Sequence, residues 1–321
     1  EQQRLWVTHT ARVFANRPNE TDWYRVGVPL ETTTSELTGL VSPVQGVFTA
    51  EFLKAKAASA TLIAYEVQQT AGAEERRVVE RRRNRYYSDN LAPLPFGQVE
   101  SRALPFESYR QAFTPGLLTQ EYGARVSTAM VTGEGRYVLQ DGVWWAPSGQ
   151  TVFDTAQFYL PVEAIDPFGQ HHIVRYDAGY SLLVREVEDP HHNVVASTND
   201  YRVLAPVLLT DPNLNRIAVE IDALGMVIKT AVMGKAGVGE GDTLADPTTK
   251  VEYDVLRWKN SGGTQPVFVH AMAREKHGGA NPRWQESYSY SDGFGREVVK
   301  KVQAEPGEVP VLDAAGRLLR N

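Results

Sequence analysis

Two pairs of adjacent histidines are, by residue type, well suited to bind a metal ion. They are His171-His172 and His191-His192, and a short stretch of chain separates them. Imidazole is a common zinc ligand, so a zinc ion shared between the pairs is one interpretation. Adjacent side chains of a strand point to opposite faces of a sheet, however, so one pair cannot readily chelate an ion. We therefore favour exposed histidines at equivalent turn positions of successive repeats, and we predict no metal site.

A second stretch has the spacing of a calcium-binding loop. Asp211, Asn213 and Asn215 follow the pattern D-x-N-x-N, and Asp222 stands at the twelfth position. Calcium takes oxygen ligands from such positions, but the loop needs glycine at its sixth residue, where this chain has Arg216. The surrounding residues also alternate as in a strand. We therefore do not expect calcium to bind here.

The glycine-rich segment 234–241 contains Lys235 and partly fits a phosphate-binding loop. Such a loop requires the order G-K-[ST] followed by a helix, and the sequence has neither feature. A flexible connection between two strands is the favoured interpretation. The sequence also has no serine in a nucleophile elbow and no convincing pair of carboxylates for acid–base catalysis. We predict that the chain is not an enzyme and binds no cofactor.

Six aspartates in the second half of the chain open short segments that we predict to be tight turns. An aspartate carboxylate can accept a hydrogen bond from the backbone two residues further on, and glycine readily adopts positive φ. Four segments have the complete pattern D-x-x-G: Asp166 to Gly169, Asp222 to Gly225, Asp292 to Gly295 and Asp313 to Gly316. Two are degenerate, with His192 and Leu214 in the place of glycine: Asp189 to Asn193 and Asp211 to Asn215.

The turns recur at a nearly constant spacing. Most steps between successive aspartates are almost equal, and a period of roughly 20–25 residues indicates a repeat architecture. The exceptions are a half step that ends at Asp222 and a long gap from Asp222 to Asp292, which is near three full steps. The segments between the turns alternate, as at Ile217, Val219 and Ile221, which predicts strands.

The repeats must stack side by side, because one hairpin alone is only marginally stable. The predicted fold is all-β, with antiparallel β-hairpin repeats that form a curved sheet with a few short helices. We divide the chain after residue 135. Residues 1–135 are predicted to be a β-rich segment with short helices near 105–122, and residues 136–321 a strip of hairpin repeats. Because proline fits the first position of a helix, we predict one helix over 105–113 and a second after Pro115.

The short basic run over residues 74–85 allows two interpretations, and its composition also allows a helix. One is a docking patch for an anionic partner. The other is a solvated or ion-paired face, because Glu74, Glu75 and Glu80 are interleaved with the arginines. We favour the ion-paired face, since short charge runs usually lie at the surface. Just before this run, the alternation over residues 60–68 predicts a strand.

Composition excludes several classes of function. The net charge of −6 argues against nucleic acid as the main partner, because binding to phosphates needs a basic surface. The absence of cysteine excludes disulfides and thiolate metal sites. No apolar run long enough to cross a bilayer is present, so no transmembrane helix and no direct membrane insertion are expected. The chain begins without an apolar leader and ends just after a turn motif, and we expect it to be a segment of a larger protein.

The segment Tyr288-Ser-Tyr290-Ser-Asp292-Gly-Phe-Gly295-Arg296 resembles the YD repeat of the RHS family, Y-x-Y-D-x-x-G-R, with one extra serine. Tyr176-Asp177 and Tyr253-Asp254 are further YD pairs. Several blocks resemble, in this order, the middle region of the B component of bacterial Tc insecticidal toxin complexes: Pro93-Leu-Pro-Phe-Gly97, Trp144-Trp-Ala-Pro-Ser-Gly149, Phe158-Tyr-Leu-Pro161, Asn199-Asp-Tyr-Arg-Val-Leu204, Asp211-Pro-Asn-Leu-Asn-Arg216 and Asp222-Ala-Leu-Gly-Met226. The resemblance covers nearly all of the chain, and it adds Tyr290 to the structural residues of the repeat turns.

This resemblance implies a secreted structural scaffold that serves virulence. In the family, the B component and the RHS part of the C component form a hollow β-shell that encloses the cytotoxic end of the C component. The C component is therefore the expected partner, and the channel-forming A component is expected to bind another part of the parent protein. The family's self-cleaving protease belongs to the C component, and this sequence has no counterpart of it.

A second hypothesis is an RHS-type surface protein that binds glycan or protein through its exposed sheet. Aromatic side chains such as Trp144, Tyr159 and Trp258 would then carry recognition.

Overall fold

The structure is a computed structural model, and it describes residues 7–41, 47–278, 281–305, 307, 311–315 and 317–320. Antiparallel strands dominate it, which confirms the predicted all-β fold with a few short helices. The chain forms two compact units, Glu1–Val174 and Arg175–Asn321. This division falls within one strand and lies later in the chain than the boundary predicted after residue 135. No helix in the described part of the chain is long and apolar enough to span a membrane.

The first unit is built around long antiparallel strands. Its strands are β1 (Val7–Arg17), β2 (Arg25–Thr38), β3 (Thr61–Ile63), β4 (Glu75–Tyr86), β5 (Pro105–Phe113), β6 (Val138–Gln140), β7 (Val143–Asp154), β8 (Leu160–Ile165) and β9 (His171–Tyr176), the last of which crosses the division. Antiparallel pairing follows the order β1-β2-β4-β5-β7-β8-β9, while β6 pairs with β7 and β3 lies parallel to β4. Its α-helices are α1 (Ala50–Ser59) and α2 (Pro115–Tyr122), and shorter 3-10 or π turns cover Gly123–Arg125, Met130–Glu134 and Thr155–Gln157.

Two small apolar clusters stabilise the first unit. One joins β1, β2 and β4 and consists of Ala15, Val28, Leu30, Tyr86 and Val99. The other packs α1 against β2 through Leu37, Ala57 and Ala60. Helix α1 begins at Thr49, whose side chain accepts a hydrogen bond from the backbone N–H of Phe52, as a good N-cap does.

The predicted helix over residues 105–113 is wrong, because this segment is strand β5. It lies between β4 and β7 and pairs with both. Proline is tolerated at the first residue of a strand, so Pro105 does not distinguish the two structures. The helix predicted after Pro115 is confirmed as α2: Thr114 caps it by accepting a hydrogen bond from Leu117 N at 3.0 Å.

The secondary structure of two other segments of the first unit differs from a prediction or decides between two. The strand predicted over residues 60–68 is limited to β3, because the chain turns at Ala64, whose carbonyl accepts from Val67 N. The basic run that also allowed a helix is strand β4. Pairing of β4 with β2 and β5, which local composition does not reveal, makes the basic run a strand.

The second unit is a meander in which each strand pairs with the next. Its strands are β10 (Val184–Glu188), β11 (Val194–Asp200), β12 (Ala205–Thr210), β13 (Arg216–Ile221), β14 (Val227–Met233), β15 (Thr249–Asp254), β16 (Val267–Arg274), β17 (Trp284–Ser291) and β18 (Glu297–Val302). The helix α3 (Arg257–Asn260) lies between β15 and β16, and β19 (Val311–Leu312) pairs with β20 (Leu318–Arg320).

The meander explains the spacing of the aspartates. A full step, such as that from Asp189 to Asp211, spans two strands and returns to the same margin of the sheet. The half step from Asp211 spans one strand, so Asp222 lies at the opposite margin. The long gap to Asp292 holds four strands, β14 to β17. It therefore contains two steps and not three, because the connections between these strands are longer.

Candidate functional site

The aspartate turns share one hydrogen-bond pattern. At Asp222, carboxylate atom Oδ1 accepts from Leu224 N at 2.8 Å and from Met226 N at 2.9 Å. The backbone N–H of Asp222 donates to the carbonyl of Met226, and Gly225 N donates to the carbonyl of Asp222. Equivalent bonds from the residue four positions on occur at the other five aspartates: Asp166, Asp189, Asp211, Asp292 and Asp313. One carboxylate thus organises the whole reversal of the chain.

The fourth residue of each described turn has a left-handed backbone. Gly169, Gly225 and Gly295 have φ between 76° and 87°. In the degenerate turns His192 has φ 62° and Leu214 has φ 70°, so these larger residues adopt the conformation that favours glycine. Gly316, the fourth residue of the last turn, lies outside the described residues.

An asparagine side chain supports each degenerate turn. Asn193 Nδ2 donates to Asp189 Oδ2 at 2.8 Å, and Asn215 Nδ2 donates to Asp211 Oδ2 at 3.1 Å. These bonds lower the pKa of both aspartates, because they favour the ionised carboxylate. We interpret the asparagine as compensation for the strained fourth residue. The D-x-x-x-N signal was present in the sequence.

The residues considered for metal ions have other partners. Asp211 and Asn215 bond to each other, as described above. His171 Nδ1 lies 2.5 Å from Glu163 Oε1, and His192 Nδ1 lies 2.7 Å from Glu188 Oε1. His171 and its neighbour lie in β9 and not in a turn, so the two histidine pairs are not at equivalent positions. In the described ranges no group of three or more His, Cys, Asp or Glu side chains is arranged to hold a metal ion.

Asp177, which belongs to one of the YD pairs, organises a longer loop. Its two carboxylate oxygens accept from four backbone N–H groups at 2.8–3.0 Å, those of Gly179, Tyr180, Leu182 and Leu183. These bonds, with one from the side chain of Tyr201, hold the pKa of Asp177 well below its usual range. Partial loss of hydration and the hydrogen bond to Asp177 raise the pKa of Tyr201 to about 12. The loop thus depends on an ionised aspartate and a neutral tyrosine.

A buried ion pair anchors the connection between β14 and β15. The side chains of Asp242 and Arg274 are fully buried, with Arg274 Nη1 2.6 Å from Asp242 Oδ1. Arg274 also contacts Asp246. Asp242 further accepts from Thr248 Oγ1, and His277 Nδ1 lies 2.6 Å from its Oδ2. Sequence analysis missed this cluster, because its two central members are far apart along the chain.

The charges of this cluster hold Asp242 in its ionised form. Burial alone would raise the pKa of Asp242, but hydrogen bonds from Thr248, His277 and Gly278 and the contact with Arg274 lower it to about 2. The glycine-rich segment before Asp242 is a connection between strands, in which Gly234 N donates to the carbonyl of Glu240. The cluster therefore fixes the far end of that connection to the end of β16.

Part of the basic run on β4 is ion-paired, because Arg81, Arg82 and Arg83 each contact a glutamate carboxylate. Arg81 Nε and Arg83 Nε lie 2.8 and 2.7 Å from the two carboxylate oxygens of Glu31 on β2. Burial opposes ionisation of Glu31, but these two arginines lower its pKa. The guanidinium of Arg83 is buried beside the rings of Phe96, at 4.8 Å, and Trp145, at 4.5 Å. Two of the arginines thus hold strands together, and a docking role is not needed to explain them.

The aromatic residues considered for glycan binding differ in exposure. Trp144 is 4% exposed and Trp145 1%, so the proposed role of Trp144 as a sugar platform is wrong. The guanidinium of Arg102 covers the ring of Tyr159 at 4.3 Å. Trp258 is 58% exposed. Tyr290, the predicted repeat residue, packs beside Tyr288 on β17.

Comparison with known proteins identifies the fold. No protein-family model matches the chain, and no curated protein matches its sequence. Solved structures do match: TcdB2-TccC3 with TM-score 0.68 and 18% identity over 98% of this chain, and TcdB2-TccC3-Cdc42 with TM-score 0.67 and 18% identity over 98%. The Tc holotoxin pore of Photorhabdus luminescens matches with TM-score 0.66 and 20% identity over 94%. The chain spans 16–18% of the length of those chains, so it has the fold of one segment of these toxin-complex proteins.

Proposed function

We propose that this chain is part of the wall of a toxin-enclosing β-shell in a Tc-type toxin complex. The match to TcdB2-TccC3 over 98% of the chain is the observation that carries this proposal. The meander supports it, because consecutive antiparallel pairing extends a sheet without long crossings. The expected partner is a C component whose cytotoxic part lies inside the shell. The complex would act outside the producing cell, as a secreted assembly.

In this proposal the chain works by enclosure and not by catalysis. A closed sheet has no free strand edges and separates a guest polypeptide from solvent and proteases. The aspartate turns contribute because each reverses the chain over a few residues, which keeps the margins of the sheet compact. The fully buried pair of Asp242 and Arg274 contributes by fixing one of the longer connections to the sheet.

Protease protection of the guest tests the proposal. The full-length parent protein and its C component are co-expressed, and the intact complex is treated with a broad-specificity protease. We expect the cytotoxic part to survive while it is enclosed and to be degraded once the shell is opened with denaturant. Rapid degradation of this part inside an intact complex would overturn the proposal.

The surface-protein hypothesis has weaker support. Of the three aromatic residues considered for glycan recognition, Trp258 alone is exposed and free of a covering guanidinium. A glycan array that shows selective binding, lost in Trp258→Ala, would favour this second function.

A further inference from the structure

The meander from β12 to β17 has two faces of opposite character. Strand pairing places Leu209 opposite Ile217 and Ile217 opposite Val232, so these side chains form a row on one face. The pairing of Thr230 with Thr249 continues the same face onto β15 and β16. We call it the uncharged face, and it carries Leu209, Ile217, Val219, Val232, Val251 and Val269.

All Asp, Glu, Lys, Arg and His side chains of these six fully described strands lie on the opposite face. Several compensate one another there: Lys229 Nζ lies 2.7 Å from Glu220 Oε2, and the ring of His270 lies between carboxylates of Glu252 and Glu286. The strand register assigns the charges to that side. Each charged residue lies opposite a residue of that face on the neighbouring strand, or two positions from one along its own strand. The segregation of charge is therefore complete across β12–β17.

The apolar row of the uncharged face is itself open to solvent. Leu209, Ile217 and Val232 are 39%, 50% and 45% exposed, whereas Ala218 and Ala231 on the charged face are 6% and 0% exposed. An antiparallel sheet normally turns its polar face to water and covers its apolar face. A contiguous exposed apolar surface marks a place where another molecule binds.

The chemistry of this face limits what can cover it. A charged partner would lose hydration without gaining a counter-charge, which is unfavourable. A sugar usually stacks on an aromatic ring, and Tyr253 is the one aromatic residue on this side of β12–β17. The hydroxyl of Tyr253 already donates to the carbonyl of Val227 at 3.0 Å. Nucleic acid is excluded by the same absence of positive charge. The remaining partner is a polypeptide with apolar side chains.

The relief of the surface favours a flexible polypeptide over a second rigid sheet. Packed sheets interlock through large side chains from both inner faces. Beyond the row of Leu209, Ile217 and Val232, this face carries small side chains such as Ala271, Ala273, Ser287 and Ser289. A shallow surface of this kind offers few sites for interlocking, but it accepts apolar groups of an irregular chain at many positions.

We propose that the uncharged face lines the interior of the shell and binds apolar segments of the enclosed, unfolded part of the C component. The inference rests on the proposed function and adds which face touches the guest and through which chemistry. Contacts of this kind are non-directional, so they hold a guest chain without selecting one folded structure.

Site-specific photo-crosslinking in the assembled complex tests the inference. The photoreactive residue p-benzoylphenylalanine replaces Leu209, Ile217 or, as control, Thr210 in the full-length parent protein. Thr210 follows Leu209 on β12 and points to the charged face. We expect crosslinks to the enclosed part of the C component from positions 209 and 217, and none from position 210.

A second comparison uses charge. With the crosslinker at position 217, Leu209→Glu should reduce crosslinking, while Thr210→Glu, whose carboxylate faces Arg216 across the strand pair, should leave it unchanged. Crosslinks from position 210 in place of positions 209 and 217 would overturn the inference. Crosslinks to a second copy of this chain would also overturn it. So would the absence of crosslinks to the guest in a complex in which the guest is protected from protease. A guest that is degraded even in the unsubstituted complex would instead overturn the proposed function.

Discussion

The left-handed fourth residue of the aspartate turns leads to a sharp prediction in the turn that begins at Asp292. Gly293 and Gly295 both have open space where a Cβ would be added, but Gly295 alone has a positive φ, of 76°. The left-handed conformation costs an L-residue about 1–2 kcal/mol, and replacing glycine by alanine returns about 0.4–1 kcal/mol by restricting the unfolded chain. We expect Gly295→Ala to destabilise the turn by about 1 kcal/mol, and Gly293→Ala to leave it unchanged or slightly more stable.

Amide hydrogen exchange at this hairpin measures the effect locally. The reporters are the N–H groups of Asp292 and Arg296, whose bonds close the turn. A loss of about 1 kcal/mol raises the equilibrium constant for opening of the turn, and with it the exchange rate, about fivefold. The two substitutions differ in backbone conformation and not in packing, so Gly293→Ala is a matched control. Equal acceleration of exchange in both variants would show that crowding or sequence, and not the left-handed backbone, determines the stability of the turn.

Three further predictions concern the other contacts of the second unit. Asn215→Ala should weaken its degenerate turn by about 0.5–1.5 kcal/mol, because the side-chain hydrogen bond to Asp211 is lost. The same exchange experiment measures this effect. Asn213→Ala is the control and should have little effect, because it retains the backbone N–H of residue 213. Arg274→Met leaves a buried carboxylate without its cation and should lower the free energy of unfolding by about 3–5 kcal/mol in urea titrations, against about 0–1 kcal/mol for the exposed pair broken by Arg257→Met. The pKa of Asp292 is lowered in the fold, so its contribution to stability is complete above the unfolded pKa of about 3.9 and is lost as pH falls through the folded value. Urea midpoints should therefore fall at acidic pH, and Asp292→Asn should show a shallower decline.

The sequence predicts local structure where one residue supplies the mechanism. An aspartate that binds its own backbone and a glycine that adopts positive φ act over one short turn, and the turns at Asp222 and Asp292 follow from those two properties. The same reasoning misses the role of Asn215, although it stands in the sequence shortly after its aspartate, because complete motifs do not need it.

Structure that depends on distant partners is not visible in a local pattern. Residues 105–113 begin with a proline that also suits a helix, yet pairing with two other strands makes them β5. Nothing in the local sequence around Asp242 or Arg274 indicates burial, and only the return of the chain through β15 and β16 brings them together in a buried site. The distribution of charge between the two faces also needs the strand register, which alternation alone leaves open by one residue.

Pairing of each strand with its neighbour in sequence has a consequence for how the second unit folds. Nearly all of its sheet contacts join residues close along the chain, so each new hairpin closes a short loop against strands that are already in place. Such a unit can be completed progressively while the ribosome is still at work, and it exposes one growing end at a time to misassembly. Substitutions in one hairpin should then slow the steps that follow it and leave the preceding strands to form at their normal rate.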